Sequence, residues 1–123
     1  YNGTTAPFKT TYFGLYDRYY SNDGKFPWNL PDRWLNPSME LLKSPMNFVC
    51  TADIIGGNSG SPVINTKGQV IGLAFDGNIE SLPGYFIFDD TLNRTVCVHS
   101  GGIVAAVKYI YKAERLLPEL NAK

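Results

Sequence analysis

The chain has 123 residues, 44% hydrophobic and 18% charged, which suits one domain with a core and excludes a disordered or fibrous composition. Eleven basic and eleven acidic residues leave no formal net charge, so nothing in the charge points to nucleic acid or an anionic membrane as partner. No apolar run approaches the roughly eighteen residues of a membrane span, and no signal-peptide pattern is present. The opening Tyr1-Asn2-Gly3-Thr4-Thr5, without Met, reads as part of something longer.

Residues 1–20 alternate polar and aromatic groups, with Phe8, Tyr12, Phe13, Leu15 and Tyr16 predicting one or two strands. Residues 21–47 read as loop: Ser21-Asn22-Asp23-Gly24 is a turn, and Pro27, Pro31, Pro37 and Pro45 interrupt regular structure. Within that stretch Pro37–Leu42 predicts a short helical turn, and Trp28 and Trp34 are read as capping the edge of a core rather than as a substrate platform. Five short strands are expected at 47–52, 62–66, 69–75, 83–88 and 93–99, the spacing of a barrel or sandwich. The period then changes: Ile103, Val104, Val107, Ile110 and Tyr111 predict a helix of roughly a dozen residues, entered through Ser100-Gly101-Gly102 and ending before Pro118.

Cys50 and Cys97 lie in apolar strand-like runs, compatible either with a disulfide in an exported protein or with two buried thiols. One His and two distant Cys make no metal-ligand set, and no cofactor is expected.

The chemistry concentrates in Gly56-Gly57-Asn58-Ser59-Gly60-Ser61-Pro62. Such a stretch suits a polar linker, but here it lies between strand-like runs, Phe48–Ala52 before and Pro62–Asn65 after. A nucleophilic Ser59 needs an exposed hydroxyl, and its own N–H and that of Gly57 must converge to hold an oxyanion. Glycines at 57 and 60 permit the tight turn and a close substrate.

Gly57–Val63 followed by Gly72-Leu73-Ala74-Phe75-Asp76-Gly77-Asn78 resembles the bacterial dipeptidyl-peptidase 7 and 11 family, exopeptidases with a chymotrypsin-like double barrel and a helical insert domain. The likeness runs from about Tyr1 to about Thr95 and corresponds to the C-terminal sixth or so of such an enzyme. It implies a mainly β fold: the C-terminal barrel half of a trypsin/chymotrypsin-like serine protease over about 1–99, then a C-terminal helix over about 101–117. The N-terminal barrel and helical insert lie outside these residues.

The resemblance makes Ser59 the acyl-enzyme nucleophile, with Gly57 and Ser59 supplying the oxyanion-hole N–H groups. Asp76 matches the carboxylate that binds the substrate's free α-ammonium, a group largely cationic at neutral pH. Without the resemblance, Asp76-Gly77 would read as a hairpin turn. Gly77 matches the position where members that cut after Asp or Glu carry Arg, so cleavage after hydrophobic residues is implied, with Phe75 helping to line the pocket. The implied partners are peptide substrates and the parent's N-terminal barrel, and a parent homodimer is compatible. The implied location is periplasmic or secreted.

Glutamyl endopeptidases are also similar around Gly56–Val63, but they place a His where Ala74 stands and a Thr where Ile54 stands. A substrate carboxylate would find no partner there. Asn58 replaces the Asp that pairs with a freed N-terminus in trypsin-type zymogens, so that activation is not expected. Val96–Gly102 departs from the family pattern of an acidic residue and an Arg-aromatic pair.

A serine nucleophile needs a base and an orienting acid. The only His, His99, follows Ser59, whereas this fold runs His, Asp, Ser, so His99 is read as a strand-end polar residue. An α/β-hydrolase elbow, which would tolerate a downstream His, needs a helix where Pro62 and more strand follow. The base and acid are expected in the absent barrel. The competing classes are a non-catalytic module that inherited the fold and a small independent hydrolase using His99.

Overall fold

The computed structural model describes residues 7–120, which divide into two compact units. The first comprises the described residues up to Thr10 with Asn47–Ser100; the second comprises Thr11–Met46 with the described residues from Gly101.

The first unit carries a five-stranded sheet of order β1-β2-β5-β4-β3. Its strands are β1 (Lys9–Thr11), β2 (Pro45–Cys50), β3 (Pro62–Ile64), β4 (Val70–Gly77) and β5 (Thr95–His99). The pairs β2–β5, β5–β4 and β4–β3 are antiparallel. β1 holds the edge through the Val49 N–H, which donates to the Phe8 carbonyl at 2.8 Å, and the Asn47 N–H, which donates to Thr10 Oγ1 at 3.2 Å. Alternation along β4 buries Gly72 and Ala74, and with Phe48 and Cys97 these make a small core flanked by Cys50, Val63 and Ile71. Gly72 is required by close approach: a Cβ there would overlap the Val98 carbonyl and the Phe48 ring.

Cys50 and Cys97 are free thiols with sulfurs 3.9 Å apart. Burial, then the neighbouring Cys50 thiol, pushes Cys97 up to about 12.

Two strand expectations are corrected. Tyr12–Ser21 forms helix α1 rather than strand, because Tyr12 and Tyr16, one helical turn apart, are the pair that buries. The strand expected at 83–88 does not form; Ile79–Tyr85 is a 3-10 helix, with Pro83 and Gly84 unsuited to a ladder.

The second unit is helical. Tyr12 and Tyr16 of α1 pack with Leu41 of α2 (Met39–Lys43) and Ala105 of α3 (Ser100–Ala105). The Tyr12 hydroxyl donates to the Gly102 carbonyl at 3.0 Å and the Tyr16 hydroxyl to the Trp34 carbonyl at 2.6 Å. Ser38 caps α2, its hydroxyl accepting the Leu41 N–H at 3.2 Å, close to the turn expected at Pro37–Leu42. Trp34 packs against this core, its ring centroid 6.0 Å from Tyr12 and 6.2 Å from Tyr111.

The terminal helix differs in its ending. α3 widens into a π-turn over Ala106–Ile110 and stops where Lys112 takes a φ of +50°. Pro118 lies inside the following α4 (Leu116–Leu120), in its first turn, where a missing N–H costs nothing.

Candidate active site

The turn from Ile55 to Ser61 is built by its own backbone. Gly57 and Gly60 have φ of +105° and +89°, and a Cβ built on either meets nothing within 4 Å. Conformation, not crowding, therefore requires glycine there. The Asn58 side chain closes the turn, Oδ1 accepting the Ile55 N–H at 2.8 Å, while the Asn58 N–H donates to the Ile55 carbonyl at 3.1 Å. The far end is fastened to β4: the Gly60 N–H donates to the Ala74 carbonyl at 2.7 Å, and the Ala74 N–H to the Ser61 carbonyl at 2.9 Å. Between these anchors Ser59 is exposed, and neither its N–H nor that of Gly57 has a hydrogen-bond partner among the described residues.

A second feature shapes the opposite wall. In the β4–β5 pairing Ala74 faces Cys97 and Asp76 faces Val96, leaving Phe75 as an extra residue in a β-bulge. Without the bulge Asp76 would share the buried side of Ala74. With it, Asp76 pairs beside the neighbour of Cys97, and both Phe75 and Asp76 are exposed. Asp76 Oδ1 accepts the Gly77 N–H at 2.8 Å.

Turn and bulge meet in an open cleft of about 290 Å³ lined by residues that include Ser59, Phe75, Asp76 and Gly77. Four of the five candidates named from sequence thus share one cleft, and Gly57 lies two residues from Ser59 on the same turn. None of the lining residues is Lys, Arg or His.

His99 does not line this cleft. At the end of β5 it pairs with Gly72 of β4, packs its ring edge-on against Phe48 at 5.7 Å and borders a separate depression with Phe8, Lys9 and Ile71. Among the described residues no group of His, Cys, Asp and Glu could hold a metal ion.

Three lining residues received no role from the sequence reasoning, Asn78 having appeared only as the end of the resemblance motif. The Tyr85 hydroxyl accepts the Gly56 N–H at 3.1 Å, tying the 3-10 helix to the turn that carries Ser59. Ser81 packs over Gly77, its hydroxyl donating to the Asn78 carbonyl at 2.6 Å. Asn78 joins the strand end to the returning chain: its side-chain nitrogen donates to the Leu92 carbonyl and its oxygen accepts the Arg94 N–H, both at 2.8 Å. A strand reading of 83–88 hides Tyr85, no local pattern singles out Ser81, and Asn78 stands in the resemblance motif without a role attached.

An exposed serine on a glycine-held turn and the carboxylate of Asp76 thus line one cleft on the sheet. The chain belongs to the Peptidase S46 family, whose model matches residues 1–122. It is 46% identical over 74 residues to a dipeptidyl-peptidase 7 of Capnocytophaga gingivalis, covering 60% of this chain and 10% of that protein. It is 37% identical over 87 residues to an Asp/Glu-specific dipeptidyl-peptidase of Shewanella putrefaciens, covering 71% of this chain and 12% of that protein. A crystal structure of Porphyromonas endodontalis DPP11 superposes with a TM-score of 0.82 at 22% identity, over 100% of this chain and 20% of that one. The chain therefore spans about a tenth of the curated relatives' length and about a fifth of the solved structure.

Proposed function

We propose that the chain is the nucleophile-bearing part of a serine dipeptidyl-peptidase that releases dipeptides from free N-termini, after hydrophobic residues. The observation that carries this is the convergence of Ser59, Phe75, Asp76 and Gly77 on one cleft from two separate elements, the glycine turn and the bulged strand. Ser59 is the nucleophile, and the unpartnered N–H groups of Gly57 and Ser59 are the oxyanion donors. Asp76, kept off the buried side of the sheet by the bulge, is the anchor for the substrate's α-ammonium.

Gly77 and Phe75 border the pocket for the residue preceding the scissile bond. A cleft without a cationic lining residue gives a substrate carboxylate no partner, which supports an apolar preference. In this reading the sheet of the first unit belongs to the C-terminal barrel of a chymotrypsin-like double barrel, Thr11–Met46 joins the C-terminal residues in a helical unit instead of the barrel expected over about 1–99, and the other barrel supplies the base and orienting acid. Export to the periplasm or beyond the cell belongs to the same proposal.

The test uses the full-length enzyme and matched peptides with free and acetylated N-termini, products being weighed by mass spectrometry. Dipeptides released only from the free peptides, after apolar residues, are expected. Ser59→Ala should abolish release, and Asp76→Asn should raise KM for free peptides with a smaller effect on kcat. Internal cuts in both peptide sets would make the enzyme an endopeptidase, and no cleavage would favour a non-catalytic module.

A further inference from the structure

Gly77 looks permissive because it lacks a side chain, yet the space beside it is already taken. A Cβ built on Gly77 overlaps the Ser81 hydroxyl and lies 3.4 Å from the Ser81 Cβ. Gly77 pairs with Thr95, itself buried, so its missing side chain would point to the side of the strand that Ser81 covers. Ser81 is held there twice: its N–H donates to the Asn78 carbonyl at 3.0 Å, and its hydroxyl to the same carbonyl at 2.6 Å. Asn78 is in turn tied to Leu92 and Arg94, so the side chain that fills the space stands on a braced segment.

We propose that Ser81 is a specificity-determining residue: it, rather than the absence of a side chain at 77, sets the depth of the pocket beside Gly77 and selects small to medium apolar side chains. The inference rests on the reading of the cleft given above. Two physical consequences follow from the Ser81 position. A hydroxyl carries a single proton, and the Ser81 proton is committed to the Asn78 carbonyl, leaving only lone pairs for a ligand. Lone pairs repel a carboxylate. An arginine introduced at 77 would also collide with Ser81 before reaching the cleft, so that change alone does not create an acidic pocket.

The experiment compares the full-length enzyme with its Ser81→Gly, Gly77→Arg and doubly substituted forms. Substrates are dipeptidyl aminocoumarin amides with Ala, Leu, Phe or Glu before the scissile bond. Ser81→Gly is expected to raise the Phe-to-Ala ratio of kcat/KM by roughly tenfold, the scale on which a change in pocket volume of this size discriminates. Gly77→Arg should lose apolar cleavage without gaining Glu cleavage, and the double form should gain Glu cleavage at least roughly tenfold over the single one.

Ser81→Ala, which removes the hydroxyl that overlaps the space beside Gly77 but keeps the Cβ, should raise the Phe-to-Ala ratio less than Ser81→Gly does, and circular dichroism of every variant checks that the fold is kept. An unchanged ratio in Ser81→Gly overturns the proposal, as does Glu cleavage by Gly77→Arg alone equal to that of the double form. If the unsubstituted enzyme cleaves none of the amides while remaining folded by circular dichroism, the dipeptidyl-peptidase reading itself fails, and the pocket assignment with it.

Discussion

Tyr85 shows how a residue outside the Ser59 turn can govern it. Its hydroxyl accepts the Gly56 N–H at 3.1 Å, next to the glycine whose own N–H is left open. Tyr85→Phe removes that acceptor, and a neutral hydrogen bond is worth about 1 kcal/mol. The expected result, by steady-state kinetics of the full-length enzyme, is a roughly fivefold fall in kcat with KM little changed. Cys97 makes a second prediction at this scale. Its thiol ionises only at about 12, against about 8.5 in an unfolded chain. Above the unfolded value the unfolded state therefore holds fewer protons than the folded one, so stability is full below about pH 8.5 and falls as pH rises from there towards the folded value. The slope approaches about 1.4 kcal/mol per pH unit. Thermal unfolding across pH 7–11 measures it, and Cys97→Ala should flatten the decline.

At the scale of elements, β4 carries the heaviest constraint. Gly72 lies under the Phe48 ring and against the Val98 carbonyl, and the strand pairs on both edges. Gly72→Ala should therefore cost about 1–3 kcal/mol, the usual range for overpacking, read as a lower unfolding midpoint. Elements set by local chemistry were legible in the sequence. β3 sits within the span expected at 62–66, β4 begins in the span expected at 69–75 and runs two residues past it, and the Ser38 cap sits beside the Pro37–Leu42 turn. Elements set by packing were not. Tyr12 and Tyr16 suit a strand by residue type, and only burial against Leu41 and Ala105 makes them helical. Ser59 could be singled out because its glycine-flanked turn is itself a pattern, whereas Asp76 and Gly77 stood out only through the family resemblance, since alone they read as a hairpin turn. The bulge at Phe75 could not, since register is a property of two strands.

At the scale of the whole molecule, few side chains close the cores. Seven apolar residues are buried among the described ones, while Leu82, Ile87 and Phe86 are 74%, 71% and 93% exposed. Surface of that kind on and just beyond the 3-10 helix suits a chain that completes itself against more protein. Expressed alone, these 123 residues should bind an apolar dye, unfold over a broad temperature range and show no peptidase turnover. A sharp calorimetric transition, or turnover abolished by Ser59→Ala, would show instead that the chain stands by itself.

The bulge also bears on how such a cleft could diversify. A strand counts its residues by parity, and one extra residue at Phe75 resets that count for everything after it. Flattening the bulge, so that Phe75 rather than Asp76 pairs with Val96, would exchange which of Asp76 and Gly77 faces outward, while Gly72, Ala74 and the core they close stay untouched. A change of register would do what no point substitution at 76 or 77 can: trade the charge in the cleft for a residue from the buried side in a single step.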